Sequence, residues 1–367
     1  MIRTSRARSL TLLALGPLLV GTGGSPPWQA AYPVPAECVG GVPLAMRRVE
    51  ISAQFNSSVT ALAWSADGKR LASIGGMAGQ IDVWDRDGQL LRQIKVGLGT
   101  YGALAFTPDG QHLVTSRSTP DRASDSIALD IWDLATGALV RRVPGPVPGG
   151  TILQNRSELV AFSADGSMAG SLAAGELGAP VQLYDPDTWA PIGTVAEPSP
   201  DIPETFALSP DGKHLALGTI KGLVILFDTL TQRKISSFRA YPGNVHTIAF
   251  SPDGTLVATG PLQGLSNPPL PNPRMIHIWR VTDGNKMRTY EGYFGPVRGL
   301  SWSPDGRFLA STSTDGPVRI WSTQRDEPPC MATDNFPPRA WPIAFSPDGA
   351  VLAAGGDKAI ILFQLKL

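Results

Sequence analysis

The sequence predicts an all-β fold in which seven four-stranded antiparallel sheets, called blades here, form a closed ring. Three features predict it: a recurring turn motif, apolar runs on both sides of each turn, and a later strand that ends in an aromatic residue. The motif is Ser/Thr-Pro/Ala-Asp-Gly, and its Asp occupies positions 67, 109, 165, 211, 253, 305 and 348. The intervals are 42, 56, 46, 42, 52 and 43 residues, and a period of roughly 40–45 residues is typical of four-stranded propeller blades.

Each motif is interpreted as a turn rather than as a metal or phosphate site. Proline presets φ for the second position of a type I turn, aspartate suits the next position, and glycine takes the positive φ that follows. This is the chemistry of a short β-hairpin loop closed by a glycine bulge. A calcium loop would need several oxygen ligands at alternating positions, and one Asp followed by Gly supplies too few.

Each repeat contains predicted strands in a fixed order. An apolar run such as VTALAW precedes the turn, and a second run such as KRLAS follows it. The third strand alternates with period two, as β-strands do, and a polar turn such as RDGQ then leads into a fourth strand such as LLRQIKV. The third strands are IDVWD (81–85), LDIWD (129–133), VQLYD (181–185), VILFD (224–228), IHIWR (276–280), VRIWS (318–322) and IILFQ (360–364).

The two ends of the repeat region predict how the ring closes. The last repeat supplies only three strands and finishes at Leu367, whereas a spare strand, Leu44–Ser52, precedes the first turn. Free ends would expose strand edges, so we expect the N-terminal strand to complete the seventh blade. The alternative is an unpaired N-terminal strand and an open edge.

Repeats of this length, with an aromatic-Asp end to the third strand and a Ser-Pro-Asp-Gly turn, resemble those of the WD-repeat β-propeller family. The resemblance covers residues 44–367 and implies a seven-bladed β-propeller. Because it departs from the family pattern at several positions, the chain resembles a divergent, bacterial-type member of the family that works outside the cytoplasm.

The departures affect a set of four hydrogen-bonded side chains that is typical of the family and is called the tetrad here. The family often carries His before the first strand, but the equivalent positions here read Phe55, Tyr241 and Tyr293. The Asp that usually precedes the third strand is clear only as Asp315 and Asp357. We therefore expect the tetrad to be largely absent and apolar packing to hold the blades together.

The N-terminal residues predict export. Arg3, Arg6 and Arg8 form a basic region, Leu10–Val20 is an apolar run, and small residues follow, which together indicate a signal peptide over residues 1–24. Residues 25–43 are interpreted as a Pro-rich linker and residues 44–367 as the propeller. The predicted localisation is therefore secreted or periplasmic, without membrane insertion after cleavage, although an uncleaved anchor is an alternative.

Charge and motifs favour a non-catalytic scaffold that binds protein partners as a monomer. Lys+Arg and Asp+Glu are both 31, so no basic excess favours a nucleic-acid partner. The four histidines show no metal-ligand spacing, and no nucleophile elbow, phosphate loop or dinucleotide fingerprint occurs. We expect no catalytic residue, metal or cofactor. The alternatives are a lactonase-like propeller hydrolase, with carboxylates or histidines converging at the ring axis, and a TolB-like envelope propeller.

Loop lengths indicate which face binds the partner. Connections after second and fourth strands share one face, the connection face, whereas turns after first and third strands share the other, the turn face. The longest connections, Arg117–Ala128, Pro144–Ser157 and Pro261–Arg274, all belong to the connection face, and the turn face is predicted to be flat. Aromatic and Arg side chains often anchor protein interfaces. The candidate partner-binding residues near this face are Tyr101, Arg156, Tyr241, Tyr293, Arg298, Arg339 and Trp341.

The two cysteines, Cys38 and Cys330, are predicted to form a disulfide. An exported chain meets an oxidising compartment, where an even number of cysteines favours a bridge. Cys330 lies near the fourth strand of the sixth repeat, and Cys38 lies just before the strand that would become the outer strand of the seventh blade. The alternative is two unpaired thiols.

Overall fold

The computed structural model describes residues 46–52, 58–75, 79–97, 100–118, 128–144, 159–172, 180–196, 201–262, 275–292, 295–324, 329, 331–332 and 342–365. All of them lie in one compact unit, Val34–Leu367. Their regular secondary structure is β-strand, and no helix among them is long and apolar enough to cross a membrane. The predicted leader and linker, Cys38 and Cys330 lie outside the described residues.

The strands have the following bounds, in chain order: β1 Met46–Ser52, β2 Val59–Trp64, β3 Arg70–Gly75, β4 Gln80–Asp85, β5 Leu90–Lys95, β6 Thr100–Phe106, β7 His112–Ser118, β8 Ala128–Asp133, β9 Leu139–Pro144, β10 Leu159–Phe162, β11 Ala169–Leu172, β12 Val181–Tyr184, β13 Pro191–Val195, β14 Pro203–Leu208, β15 His214–Thr219, β16 Leu223–Asp228, β17 Lys234–Arg239, β18 Asn244–Phe250, β19 Leu256–Leu262, β20 Ile276–Arg280, β21 Lys286–Tyr290, β22 Val297–Trp302, β23 Phe308–Ser313, β24 Arg319–Ser322, β25 Met331–Ala332, β26 Ile343–Phe345, β27 Val351–Gly355 and β28 Ala359–Leu365. Consecutive groups of four, starting at β2, form the first six blades, and β26–β28 form the seventh with β1. The predicted all-β, seven-bladed propeller of four-stranded antiparallel sheets is therefore confirmed.

The blades are arranged so that first strands surround the axis. The first strand of each blade contacts the first strand of the next, from the first blade to the seventh and back again. Second and third strands, such as β3 and β4, are mostly buried, whereas the fourth strands β5 and β17 are mostly exposed and form the outer rim. Because each blade is an antiparallel meander, every first strand begins at the connection face.

The N-terminal strand closes the ring as predicted. Strand β1 pairs antiparallel with β28, from Met46 opposite Leu365 to Ser52 opposite Ala359. Side chains reinforce the junction between the seventh and first blades, because Arg86 forms an ion pair with Asp348 at 2.8 Å. The Ser58 hydroxyl also donates to Asp357, on the turn that precedes β28.

The acidic motif is a turn in all seven copies. In the first copy, the Ser65 hydroxyl donates to Asp67 Oδ1 at 2.6 Å, and that same oxygen accepts from the Lys69 amide at 3.0 Å. These hydrogen bonds, with that of Ser65 the largest cause, lower the pKa of Asp67. The same hydroxyl-to-carboxylate bond occurs in every other copy. The carboxylate oxygen is used within its own turn, so the motif stabilises the hairpin.

The turns also pack against each other across blades. The proline of one turn lies beside the glycine of the next, as Pro108 does beside Gly166. A β-carbon on Gly166 would lie 2.7 Å from the Pro108 β-carbon. The Asp165 amide donates to the Pro210 carbonyl at 3.0 Å, which links the same turn to the next blade. The motif thus serves the ring as well as its own hairpin.

The prediction that the tetrad hydrogen bonds are largely absent is wrong in part. Four third-strand tryptophans donate their indole N–H to a Ser or Thr hydroxyl on the second strand of the same blade. The bonds are Trp84 to Ser73 at 2.9 Å, Trp132 to Thr115 at 3.0 Å, Trp279 to Thr259 at 2.9 Å and Trp321 to Ser311 at 2.8 Å. In the fourth and seventh blades, buried Phe227 and Phe363 stand at this position and have no N–H to donate, so apolar packing replaces the bond there.

One connection at the turn face is longer in sequence than predicted. The third and fourth strands of the sixth blade, β24 and β25, are separated by residues 323–330, whereas β4 and β5 of the first blade are separated only by residues 86–89. The sequence reasoning missed this connection because the pattern that marks the fourth strand is weak in the sixth repeat.

Candidate functional site on the connection face

Charged side chains lie at the same register in three neighbouring first strands. Glu204 lies in β14, His246 in β18 and Arg298 in β22, and each precedes the Asp of its turn by seven residues. Because β14 contacts β18 and β18 contacts β22, equal register brings the three side chains side by side around the axis. They lie near the beginnings of their strands, hence at the connection face. We call these three residues, together with Asn244, the axial site.

The axial site is a continuous row of hydrogen bonds. His246 Nδ1 lies 2.8 Å from Glu204 Oε1, and the Asn244 amide donates to Glu204 Oε2 at 2.9 Å. On the other side of the imidazole, Arg298 Nη1 lies 3.2 Å from His246 Nε2. The Glu204 side chain is 15% exposed and that of His246 is 24% exposed, so the row is accessible at one edge.

The contacts determine where the imidazole carries its proton. A guanidinium only donates hydrogen bonds, so His246 Nε2 accepts from Arg298 and carries no proton. The proton is therefore on Nδ1, which donates to Glu204. Burial lowers the pKa of Arg298, and the charge of Glu204 opposes that shift. The His246 imidazole thus bridges the carboxylate of Glu204 and the guanidinium of Arg298.

The chemistry of this row suits recognition better than acid–base catalysis. A histidine acting as a general base must offer its unprotonated nitrogen to the substrate, and in His246 that nitrogen already accepts from Arg298. Within the ranges that the structure describes, no group of three or more His, Cys, Asp or Glu is placed to hold a metal ion. The row instead presents charged and hydrogen-bonding groups of both signs at one face.

The structure places the predicted site residues in different environments. Arg298 belongs to the axial site. Tyr241 is buried between blades, 4% exposed, and its hydroxyl donates to the Thr259 carbonyl at 2.7 Å. Tyr101 lies on β6, near its start. The remaining candidates lie outside the described residues: Arg156, Tyr293, Arg339 and Trp341.

Sequence reasoning missed Glu204, His246 and Asn244, although a signal for the first two was present. His246 looked isolated because its neighbours in space are 42 and 52 residues away in the chain. Glu204, His246 and Arg298 all lie seven residues before the Asp of their own turns. The same spacing gives Thr60, Gly102, Glu158 and Trp341 in the other blades. Trp341, a predicted candidate, thus has the same spacing from the Asp of its turn as Arg298 has.

Comparisons with known families identify the repeats. A family profile described as WD domain, G-beta repeat matches residues 232–266, 284–322 and 343–364. A second profile, described as Eukaryotic translation initiation factor eIF2A, matches residues 46–144. The chain therefore carries WD40 repeats, and the matched segments contain strands of the last four blades.

Three relatives are similar in sequence to parts of this chain. Eukaryotic translation initiation factor 3 subunit I of Aspergillus terreus is 33% identical over 85 residues, 23% of this chain and 25% of the relative. An uncharacterized WD repeat-containing protein of Synechocystis is 30% identical over 149 residues, 40% of this chain and 39% of the relative. The Periodic tryptophan protein 2 homolog of Neurospora crassa is 39% identical over 82 residues, 21% of this chain and 9% of the relative. The chain spans about a quarter of the length of the initiation factor relatives that it matches.

Proposed function

We propose that this chain is a protein-binding scaffold without catalysis of its own, and that its partner contacts the connection face around the axial site. One observation carries the proposal: three neighbouring blades bring Glu204, His246 and Arg298 into one row at the face with the longest connections. Binding residues commonly lie where loops meet a rigid scaffold, and Arg is a frequent interface anchor. The WD40 repeats support a scaffold role, and one relative is named as a subunit of a larger factor.

The proposed location of this scaffold is outside the cytoplasm, secreted or periplasmic. The support is the basic region, the apolar run Leu10–Val20 and the small residues after it, which together have the composition of a signal peptide. An exported chain of a divergent bacterial type, with a leader over residues 1–24, is consistent with this composition.

A second candidate is a subunit of an assembly inside the cell. It is favoured by the names of the initiation factor relatives and by the eIF2A profile over residues 46–144. Fractionation of producing cells separates the two candidates. Export predicts a shortened chain outside the cytoplasm, and an internal subunit predicts the full-length chain inside it.

Two arginines of the sixth blade provide a matched test of the docking face. Arg298 lies at the connection face, and Arg307 follows the Asp305 turn at the turn face. We expect Arg298→Ala to reduce recovery of co-purifying partners at least tenfold, because an anchor of the axial site is removed. Arg307→Ala should leave recovery unchanged. The measurement is affinity purification with quantitative mass spectrometry, from both cell fractions.

The melting temperatures of both variants show whether each is folded. Equal losses from both substitutions, or undiminished recovery with folded Arg298→Ala, would contradict docking at the axial site.

A further inference from the structure

The outer rim of the propeller combines exposed apolar side chains with positive charge. Among the described residues, the large apolar side chains that are exposed all lie on a fourth strand or on the turn before one: Leu90, Leu91, Leu139, Val140, Ile192, Leu230, Ile235 and Met287. The fourth strands β5, β9, β17 and β21 also carry two Lys or Arg each and no Asp or Glu. The chain as a whole has 31 residues of each sign, so these strands concentrate one of the two.

The fourth strand of the fifth blade, β21, has a groove beside it. The groove has a volume of about 250 Å³ and is lined by Lys286, Met287, Arg288 and Thr289. Strand β21 is the last of its sheet, so the backbone N–H and C=O groups of its outer edge have no partner strand among the described ones. Strands β9 and β13 contain proline, which cannot donate, whereas β21 contains none. This edge can therefore pair with a further strand.

Side-chain contacts hold β21 in place. Tyr290 stacks on Trp321 of the sixth blade with ring centroids 5.0 Å apart, and its hydroxyl donates to the Ser322 carbonyl at 2.6 Å. Thr289 Oγ1 lies 3.1 Å from Nδ1 of His277 on β20. Because the strand is already fixed, little conformational freedom is lost on this side when a segment pairs with it.

We propose that the outer edge of β21 binds an extended, acidic segment of a partner protein, which joins the fifth blade as a fifth strand. Backbone hydrogen bonds then give the pairing, and side chains at alternate positions give the selectivity. Lys286 and Arg288 lie on one face of the strand and Met287 on the other. Side chains of the added strand lie level with these, so the segment should carry Asp or Glu at alternate positions and an apolar residue between them. This docking edge is additional to the axial site and goes beyond the proposed function.

Charge favours an acidic segment over other occupants. Lys286 is exposed, and its ammonium forms no ion pair within the described ranges. Arg288 Nη2 donates to the Gln324 carbonyl at 3.2 Å, which keeps the guanidinium beside the groove. A second copy pairing through the same strand would place like charges opposite each other, which destabilises a sheet. Lipid acyl chains offer no hydrogen bonds to the backbone groups of the edge.

Amide NMR of the full chain tests the docking edge, with a synthetic peptide of alternating Glu and Val, long enough to span β21, as the probe. We expect saturable shifts of the amide signals of Lys286–Tyr290, and no such shifts with a peptide of alternating Lys and Val. Lys286→Glu should weaken binding of the acidic peptide roughly tenfold, because an attraction becomes a repulsion. Lys234→Glu is the matched control, since Lys234 lies opposite Phe227 in the fourth blade as Lys286 lies opposite Trp279 in the fifth. It changes the net charge equally and should leave the affinity unchanged.

Four results would overturn the proposal, provided that the melting temperatures show both variants to be folded. Equal weakening by the two substitutions would mean general attraction to the rim, and unchanged affinity in Lys286→Glu would mean that the peptide binds elsewhere. Absence of saturable shifts at β21, with anionic lipid vesicles binding through Lys286 or without it, would exclude a peptide as the occupant. Shifts at β21 that depend on protein concentration alone would indicate a second copy. The test needs no partner of the connection face, so its outcome is separate from that of the proposed function.

Discussion

At the scale of single residues, a buried position in the third strands carries ionisable side chains, and two of them, Asp130 and Arg319, form ion pairs within their own blades. Asp130 is fully buried and accepts from Arg142 Nε at 2.7 Å and from Arg142 Nη2 at 3.0 Å. Arg319, 3% exposed, donates to both oxygens of Asp315 at 3.1 and 2.9 Å. Burying a charge is costly unless it is paired and hydrogen-bonded. Local pairing therefore lets these blades carry buried charges.

His277 occupies the same position in the fifth blade and predicts a loss of stability in acid. It stacks on Tyr241 with ring centroids 5.0 Å apart, and burial, with a smaller effect of Lys286, lowers its pKa to about 4. Between the ordinary imidazole pKa of about 6.5 and this value, the unfolded chain binds a proton that the folded chain excludes. The contribution of His277 to the free energy of unfolding should thus be complete above pH 6.5 and fall by up to about 3 kcal/mol towards pH 4.

Urea unfolding at a series of pH values measures this contribution. His277→Gln should lose less stability between pH 6.5 and 4 than the wild type does. His214→Gln, at the turn face, keeps His277 and should retain the full acid dependence. The same pH dependence in His277→Gln as in the wild type would show that another group is responsible.

At the scale of the secondary structure elements, interlocking of the turns predicts unequal effects of equivalent glycines. Gly166 and Gly254 share the motif and the same φ of 72°. A β-carbon on Gly166 would lie 2.7 Å from Pro108, whereas one on Gly254 would lie 3.6 Å from Pro210, an ordinary contact. Gly254→Ala should cost about 1 kcal/mol from the left-handed backbone alone. Gly166→Ala should cost about 1–3 kcal/mol more, because the two turns must separate.

Thermal or urea unfolding of the two alanine variants gives this difference directly, since their backbone cost is shared. Equal destabilisation would mean that the turns of the second and third blades do not press against each other.

The turns and strands could be predicted from the sequence because they depend on local chemistry and on periodicity. The tryptophan hydrogen bonds could not, since they join residues that are diagonal across two strands. Trp84 lies opposite Leu71, and its indole reaches Ser73 two residues further along β3. The axial site was not predicted, for a similar reason. Its contacts cross blade boundaries, and the common register of its residues is visible only when the repeats are aligned on their turns. The pairing of Ser58 with Asp357 links the two ends of the ring in the same way.

At the scale of the whole molecule, closure joins the first and last parts of the chain. Ile51 of β1 is buried in a cluster with Val59 and Leu71 of the first blade and Ile360 of the seventh. One short strand therefore contributes to its own blade and to the packing of the next. A ring held in this way should respond to loss of the strand as a unit, because every blade depends on two neighbours.

Deletion of residues 1–52 removes β1 and should lower the melting temperature by about 5 °C or more. The lost strand leaves β28 as an uncovered edge and removes buried apolar area around Ile51, a loss of several kcal/mol at roughly 25 cal/mol per Å². Deletion of residues 1–43 keeps β1 and is the matched control, expected to melt like the longer chain.

The exposed edge of β28 should also promote association, because its backbone N–H and C=O groups lack a partner strand. Light scattering should then detect concentration-dependent oligomers for the chain that starts at residue 53 but not for the control. Identical melting of the two shortened chains would mean that the seventh blade is stable with three strands, and that the pairing of β1 with β28 does not hold the ring together.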